Sequence, residues 1–263
     1  MSEPLNGPVV IDLNADVGEN PDALADGSEE ALLRVVTSAN IACGAHAGDE
    51  RTIAGTLALA VRLGVAAGAH PGYPDRAGFG RDSLGMTPGA IEDSIFKQVR
   101  LLAEAARLAG CTLTHVKPHG ALYNDAARDR ETAGAIARGV SRWATDVVLV
   151  GLAGSPMLEV FREHGFEAVG EAFADRTYEA DGTLRSRQLP GALITEATRA
   201  AAQAVHIVRD GMVTAFDGLE FPVRARTICV HGDTPGAPGI ATAVRDALLT
   251  AGVRLTPLWR QQR

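Results

Sequence analysis

The feature that most constrains this chain is a repeated unit: a short apolar run that ends in polar residues and leads into a helical pattern. Val9–Asp16 is the first. Its polar residues Asp12, Asn14 and Asp16 alternate with Ile11, Leu13 and Ala15, so a strand would carry the polar groups on one face and the aliphatic groups on the other. Taken alone, the alternation suits a solvated antiparallel strand equally well. The repetition argues otherwise. Asn40–His46 runs into a helix opening near Asp49, Val65–Gly72 precedes a long loop and another helix, and Val147–Val150, Ala168–Glu171 and Thr227–Asp233 behave likewise. Roughly seven strand-then-helix units follow from this periodicity.

Helix punctuation supports the count. Thr87-Pro88 and Ser155-Pro156 each place a capping hydroxyl before a proline at the first helical position, and Gly64, Gly110, Gly165 and Gly252 follow amphipathic or alanine-rich runs as stops. Asp26 with Glu29 reads as a capping box for a short helix over residues 29–37. Alternating strands and helices imply an α/β fold with a parallel sheet covered by helices, and roughly 250 residues is the size at which such a sheet closes into a barrel. Residues 1–263 are therefore expected to form a single barrel-like domain. In parallel sheets, reactive groups gather at the C-terminal strand ends, where the polar clusters of this chain sit.

Only two lysines occur in the chain, and Lys117 stands with His115 and His119 two residues to either side. On a strand all three project the same way. Arginine is the usual cation elsewhere, so a compact ammonium flanked by histidines points to a special role, against the simpler reading of a lysine at a strand end. A net charge of -7 and the lack of a basic block exclude a nucleic-acid surface. The N-terminus lacks a basic region followed by an apolar core, and no apolar run approaches the roughly 20 residues of a membrane helix, so a cytoplasmic protein without membrane partners is expected. Cys43, Cys111 and Cys229 lack zinc-motif spacing and cannot all pair, which predicts reduced thiols.

Asp12-Leu-Asn-Ala-Asp-Val-Gly-Glu19, Ser38–Asp49, Gly68–Arg76, His115–Tyr123, Glu171–Tyr178 and His231–Pro235 together resemble the LamB/YcsF family, in order and from about residue 9 to residue 255. The resemblance implies a seven-stranded relative of the β/α barrel, of the kind found in glycoside hydrolases and polysaccharide deacetylases. It further implies a protein that works with two partners, subunits B and C of 5-oxoprolinase, to open the lactam 5-oxo-L-proline to L-glutamate, with ATP hydrolysed to ADP and phosphate. No G-x-x-x-x-G-K-[ST] loop is present, so ATP is expected as a cosubstrate of the complex, captured largely by the partners.

Lactam opening needs a base for water and donors for the developing oxyanion. Two carboxylates on one strand face would raise one another's proton affinity, which makes Asp12 or Asp16 the expected base, with Asp16 nearer the strand end. His46, His70, His119 and His231 are candidates for proton transfer, phosphate donation or metal ligation. Catalytic roles are thus expected for Asp12, Asp16, His46, Lys117 and His119. Asn14, His70, Glu171, Arg176, His231 and Asp233 are expected to bind substrate or phosphate, Arg176 with a two-pronged grip. A divalent metal, if bound, would use Asp16, His46 and His119. Were Lys117 to hold a substrate carboxylate or a phosphate, Lys117→Met would spare stability and lose turnover.

Asp181-Gly182 marks a hairpin between residues 175 and 193, either a lid or partner-docking element or an ordinary surface ribbon. Asp217-Gly218 marks a second hairpin, ending near Pro222. Two other function classes fit the polar clusters. One is a free-standing metal-dependent deacetylase or amidohydrolase, which would work without ATP. The other is a non-catalytic ligand-binding or scaffold subunit, which would leave the complex active after changes at Asp16 and Lys117.

Overall fold

The computed structural model describes residues 9–261, so the N-terminal stretch used above to argue against an export signal lies outside the described residues. The chain begins with β1 (Val10–Val17), two short helices, α1 (Pro21–Asp26) and α2 (Ser28–Leu33), and β2 (Ser38–Ala42). It continues through α3 (Glu50–Leu63), β3 (Ala66–His70), α4 (Pro88–Leu108), β4 (His115–Val116), α5 (Gly120–Arg128), α6 (Arg130–Ser141) and β5 (Val148–Leu152). Next come α7 (Met157–Glu163), β6 (Glu167–Phe173), α8 (Ala197–Val205), and the antiparallel pair β7 (Met212–Thr214) and β8 (Glu220–Pro222). The chain closes with β9 (Thr227–His231), α9 (Ala237–Thr250) and β10 (Arg254–Leu255). Strands β1 to β6 and then β9 pair in parallel, and β9 pairs back onto β1, which closes a seven-stranded barrel with helices around it. The N-terminal end of β1 extends beyond the ring and pairs with β10.

Both faces of these strands are buried, which is where the simple amphipathic reading stops. Leu13, Ala15, Val17, Ile41, Ile228 and Val230 pack outward against the helices in the main apolar core. The alternate residues point into the barrel, where a parallel barrel usually stacks branched aliphatic layers. Here most of that interior is polar. At the floor Asp12 accepts from the hydroxyls of Thr37 (2.6 Å), Ser38 (2.6 Å) and Thr227 (2.5 Å). Above it Asn14 donates to Glu171 and Thr227, Asn40 donates to Asn14 and Asp16, and His115 Nε2 meets Asn40 Oδ1 at 2.9 Å. Gly68 lies in register between Asn40 and His115, and a Cβ there would fall 2.2 Å from the His115 ring. Glycine at this position is what lets the imidazole cross to Asn40. Val148, Val150 and Val169 form a small separate cluster with Leu258.

Helix ends follow the sequence signals with two exceptions. Thr87 caps α4 through the Ala90 N–H, Asp49 caps α3, and Gly64, Gly110, Gly165 and Gly252 adopt the expected left-handed conformation. Ser155, however, donates back to the Leu152 carbonyl, and α7 begins at Met157 after Pro156. Glu29 is no capping-box residue: α2 starts at Ser28, and the buried Glu29 accepts from the Gly18 N–H and the Thr56 hydroxyl. It anchors the turn after β1, a long-range demand that outcompetes the local one. Both hairpins form: Tyr178 bridges Leu184 and Arg176 bridges Leu193, while β7 pairs with β8.

Asp12, expected as a base, therefore sits at the barrel floor. Burial pushes its carboxyl up to about 6 against the opposing effect of the Ser38, Thr227 and Thr37 hydroxyls, with Glu171 adding repulsion. A group raised in the folded state gives its full stability below its unfolded pKa and loses it as pH climbs through the folded one. The Asp12 contribution should thus fall by about 3 kcal/mol between roughly pH 4 and 6. An Asp12→Asn variant lacks this titration, so urea unfolding at a series of pH values should show its stability relative to the parent rising across that window and flat above it. A pH-independent difference would place the Asp12 proton elsewhere.

Candidate active site

Lys117 stands at the centre of the barrel's upper half. Its Nζ lies 2.8 Å from Asp16 Oδ1 and 2.9 Å from Glu171 Oε1, and it also donates to Cys229 Sγ (3.1 Å). All four residues are buried. Burial opposes the ammonium, but Asp16 and Glu171 hold its pKa well above the ordinary lysine value. Glu171 is filled by Lys117, Asn14 and the Tyr123 hydroxyl, and Asn14 is likewise spent on interior partners. These two residues, expected to bind ligand, brace Lys117 instead. His115, its neighbour on β4, is pushed down to about 3 by burial and by the Lys117 charge, and its ring is occupied by Asn40 and Thr114.

Asp16 is the carboxylate that reaches the mouth. Burial resists its charge, yet His70 and Lys117 outweigh that resistance and hold it well below the usual carboxylate range. A carboxylate so held is ionised and a weak base. His70 Nε2 lies 3.4 Å from Asp16 Oδ2 and 3.1 Å from His119 Nδ1, and Glu19 Oε1 lies 3.2 Å from that same His119 nitrogen. The far nitrogens are committed: His70 Nδ1 faces the Lys117 carbonyl at 2.8 Å and His119 Nε2 faces the Phe79 carbonyl at 2.9 Å. A carbonyl only accepts, so those nitrogens carry hydrogens and the near ones turn lone pairs toward each other. Two lone pairs and two carboxylates at such range can accommodate one cation between them, a proton or a metal ion.

His46 completes this group, stacked on His119 with ring centroids 3.8 Å apart and its Nε2 3.3 Å from Glu19. Burial pushes His46 down to about 4 in spite of Glu19, and its Nδ1 is buried without a hydrogen-bond partner among the described residues. Glu19 is held well below the usual range by His119 and His46, against its burial. Glu19, His46 and His119 offer ligand atoms within 4.8 Å of one another. This set suits a divalent metal, since the carbonyl behind His119 provides the outer-shell bond that ligating histidines use. The second cluster, Asp16, Cys229 and His231, suits one less well: Lys117 already neutralises Asp16, and burial keeps the Cys229 thiol protonated. The metal set expected from sequence thus changes its carboxylate from Asp16 to Glu19.

On the opposite wall His231 Nδ1 meets Asp175 Oδ1 at 2.9 Å, and Asp175 also accepts from the His231 N–H and the Thr234 hydroxyl. Fully buried, Asp175 stays below its ordinary pKa because His231 outweighs desolvation. Nε2 of His231 points toward Asp16, 3.9 Å away, and the ring stacks on Phe173. An imidazole oriented by a buried carboxylate, with its second nitrogen turned toward the mouth, has the geometry that proton transfer uses.

The mouth divides into two compartments. One, of about 440 Å³, is lined by Lys117, His119, His231 and residues of the 175–193 hairpin, and the other, of about 470 Å³, by Asp16, Glu19, Glu29 and Phe79. Arg81 pairs with Asp233 on the border, and Arg187 joins the same carboxylate at 3.1 Å. Asp233 is therefore a counterion for two arginines, and a carboxylate repels a phosphate. Arg176 is buried and donates to the carbonyls of Ala192 and Arg185. Sequence periodicity missed Glu19, Asp175, Phe79, Arg81 and Arg187. Asp175 alone carried a signal, since it continues the inward alternation of Glu171 and Phe173.

The fold has distant company. The Xyl-CE4 domain of a multidomain xylanase, from the hindgut metagenome of Trinervitermes trinervoides, superposes with a TM-score of 0.54 at 11% identity, covering 97% of this chain and 89% of that one. That likeness concerns fold alone. A lactam utilization protein from Thermus thermophilus superposes with a TM-score of 0.86 at 44% identity, over 94% of this chain and 98% of the other. The 5-oxoprolinase A subunit of Chloroflexus aggregans is 52% identical over 243 residues, 92% of this chain and 96% of its own length. That of Syntrophobacter fumaroxidans is 44% identical, over 95% and 99%. The profile of the LamB/YcsF family matches residues 11–263, and the chain belongs to that family.

Proposed function

We propose that this chain is the A subunit of an ATP-dependent 5-oxoprolinase and that residues 1–263 work as one hydrolytic domain. Full-length similarity to proteins of that name supports the reaction class, and the observation that carries the chemistry is the Asp175–His231 pair facing Asp16 across the mouth. A lactam is a resonance-stabilised amide and a poor electrophile. Transfer of the γ-phosphoryl group of ATP to its carbonyl oxygen, with loss of the ring N–H proton and release of ADP, converts that oxygen into a leaving group. Subunits B and C would do this, since neither lysine of this chain follows a phosphate-binding loop.

His231, held by Asp175, then takes a proton as water adds to the activated carbon, and ionised Asp16 orients that water. His231 returns that proton to the ring nitrogen, and the hydroxyl of the adduct gives up its own as the carbonyl re-forms, so that the nitrogen, stripped of its hydrogen on phosphorylation, leaves as an amine when the C–N bond breaks and an acyl phosphate of glutamate remains. A second water cleaves it to glutamate and phosphate. Lys117 keeps Asp16 charged and in place, a positioning role. A divalent ion held by Glu19, His46 and His119 would supply Lewis acidity toward water or carbonyl oxygen. The same donor set favours a second reading, a metal-dependent amide hydrolase independent of ATP. A cytoplasmic location belongs to the proposal too, and rests on three unpaired thiols, Cys43, Cys111 and Cys229.

Mixed with subunits B and C, the chain should release glutamate and phosphate together from 5-oxoproline and ATP, and alone it should release little. Rapid ATP-independent turnover by the chain alone would favour the second reading. His231→Gln and Asp16→Asn should each lower turnover of the folded complex by about 10²–10⁴; parental rates would return both residues to structural roles. Lys117→Met strands two buried carboxylates, so calorimetry should show it destabilised by about 3–5 kcal/mol, contrary to a lysine reserved for ligand.

A further inference from the structure

The 440 Å³ compartment has a charge unlike that of the chain. Six permanent cations line it, Arg81, Lys117, Arg128, Arg176, Arg185 and Arg187, against the two lining carboxylates Asp16 and Asp82, whereas the whole protein carries -7; Glu171, Glu179 and Asp233, just outside the lining, pair with Lys117, Arg185 and the Arg81–Arg187 couple. Its neighbour is the reverse, with Asp16, Glu19, Glu29 and Asp233 against Arg81. Within the basic compartment Arg176 is 5% exposed and its guanidinium donates to two backbone carbonyls, with no carboxylate in an ion pair with it among the described residues. Burial and the nearby Arg187 charge push it down to about 10, the sign of a cation short of an anion. A buried charge without a counterion is costly unless a ligand supplies one.

The anion already present is Asp233. It comes from the turn after β9 and is gripped by Arg81 of the 71–87 loop and Arg187 of the 175–193 hairpin. It thereby ties both loops across the mouth. Its carboxylate has one charge and two acceptor oxygens; a phosphoryl group has up to two charges and three, which suits several guanidinium forks at once.

We propose that this compartment is a phosphoryl-anion site in which Asp233 is a built-in competitor, holding Arg81 and Arg187 until the ligand's phosphoryl oxygens displace it. The inference rests on the reading of the chain as a hydrolytic subunit, and it names the group by which the activated lactam, and afterwards the product phosphate, is held. Arg176 is the fixed part of the site and the Arg81–Asp233–Arg187 clasp is the movable part.

Titration of the full chain with inorganic phosphate, followed by calorimetry at low ionic strength without partner subunits, tests this. The parent should bind phosphate saturably and lose affinity with added salt. Asp233→Asn frees two arginines and should tighten binding roughly tenfold, while Arg187→Gln should weaken it by a similar factor. Both side chains are partly exposed, and melting temperatures verify that each variant is folded. ADP competing with phosphate, with the same response to both variants, supports the site and makes a nucleotide phosphate its occupant. Absence of saturable phosphate binding in both the parent and Asp233→Asn, or weaker binding by Asp233→Asn, overturns the proposal. Since no turnover is measured, either failure leaves glutamate release by the reconstituted complex standing, and failure of that release leaves this titration standing.

Discussion

Everything above the barrel floor depends on one buried ammonium. Lys117 sits between Asp16 and Glu171 in an interior that parallel barrels usually fill with aliphatic side chains. A cation there is tolerable only with both carboxylates in contact, and each carboxylate is tolerable only with its remaining oxygens occupied. The requirement spreads outward: Glu171 needs Asn14 and Tyr123, Asp16 needs Asn40 and His70, and Asn40 needs His115. The network reaches the floor through Thr227 and Asp12. Such a stack costs more to assemble than an apolar core, and its return is position: every polar group has one orientation that satisfies its neighbours.

That rigidity sets what the mouth can do. Asp16 emerges ionised and fixed, the His70 and His119 tautomers are dictated by carbonyls of Lys117 and Phe79, and His231 is dictated by Asp175. Phe79 has a left-handed backbone (φ 56°), uncommon for a bulky side chain and concentrated at functional sites. Gly80 beside it leaves no room for a Cβ against His46. The loop is thus bent to press a carbonyl onto His119.

The barrel and its inward residues were legible because period-two alternation survives burial on both faces. Asp12, Asn14 and Asp16 share a side as the spacing requires, and His115 points inward on β4, while Lys117 and His119 lie beyond that strand's end at Val116 and reach the same interior from the segment that follows. Alternation gives side but not height, so Asp12 at the floor read the same as Asp16 at the mouth. Nor does it reveal who is already occupied: Glu171 and Asn14 looked like free ligands because their partner, Lys117, is far from each in sequence. Residues on loops had no period to betray them. Gly18, at φ 70°, breaks the alternation of β1 and re-aims Glu19, while Arg81 and Arg187 meet Asp233 only through tertiary structure.

The division between a fixed interior and a mouth assembled from loops separates two kinds of constraint. Helix faces and strand parity are satisfied by many sequences, so the barrel persists at low identity. The charged stack is satisfied by few: replacing any one member strands another in a buried interior. Change is easiest where solvent can take over a lost partner, at the turn after β9, in the 71–87 loop and in the 175–193 hairpin. Those three segments supply Asp233, Arg81 and Arg187, whose mutual pairing is partly exposed and exchangeable. On the proposed reading, the part of the site that recognises a ligand is the part whose internal bonds are partly exposed, while the part that moves protons is locked by bonds buried from water.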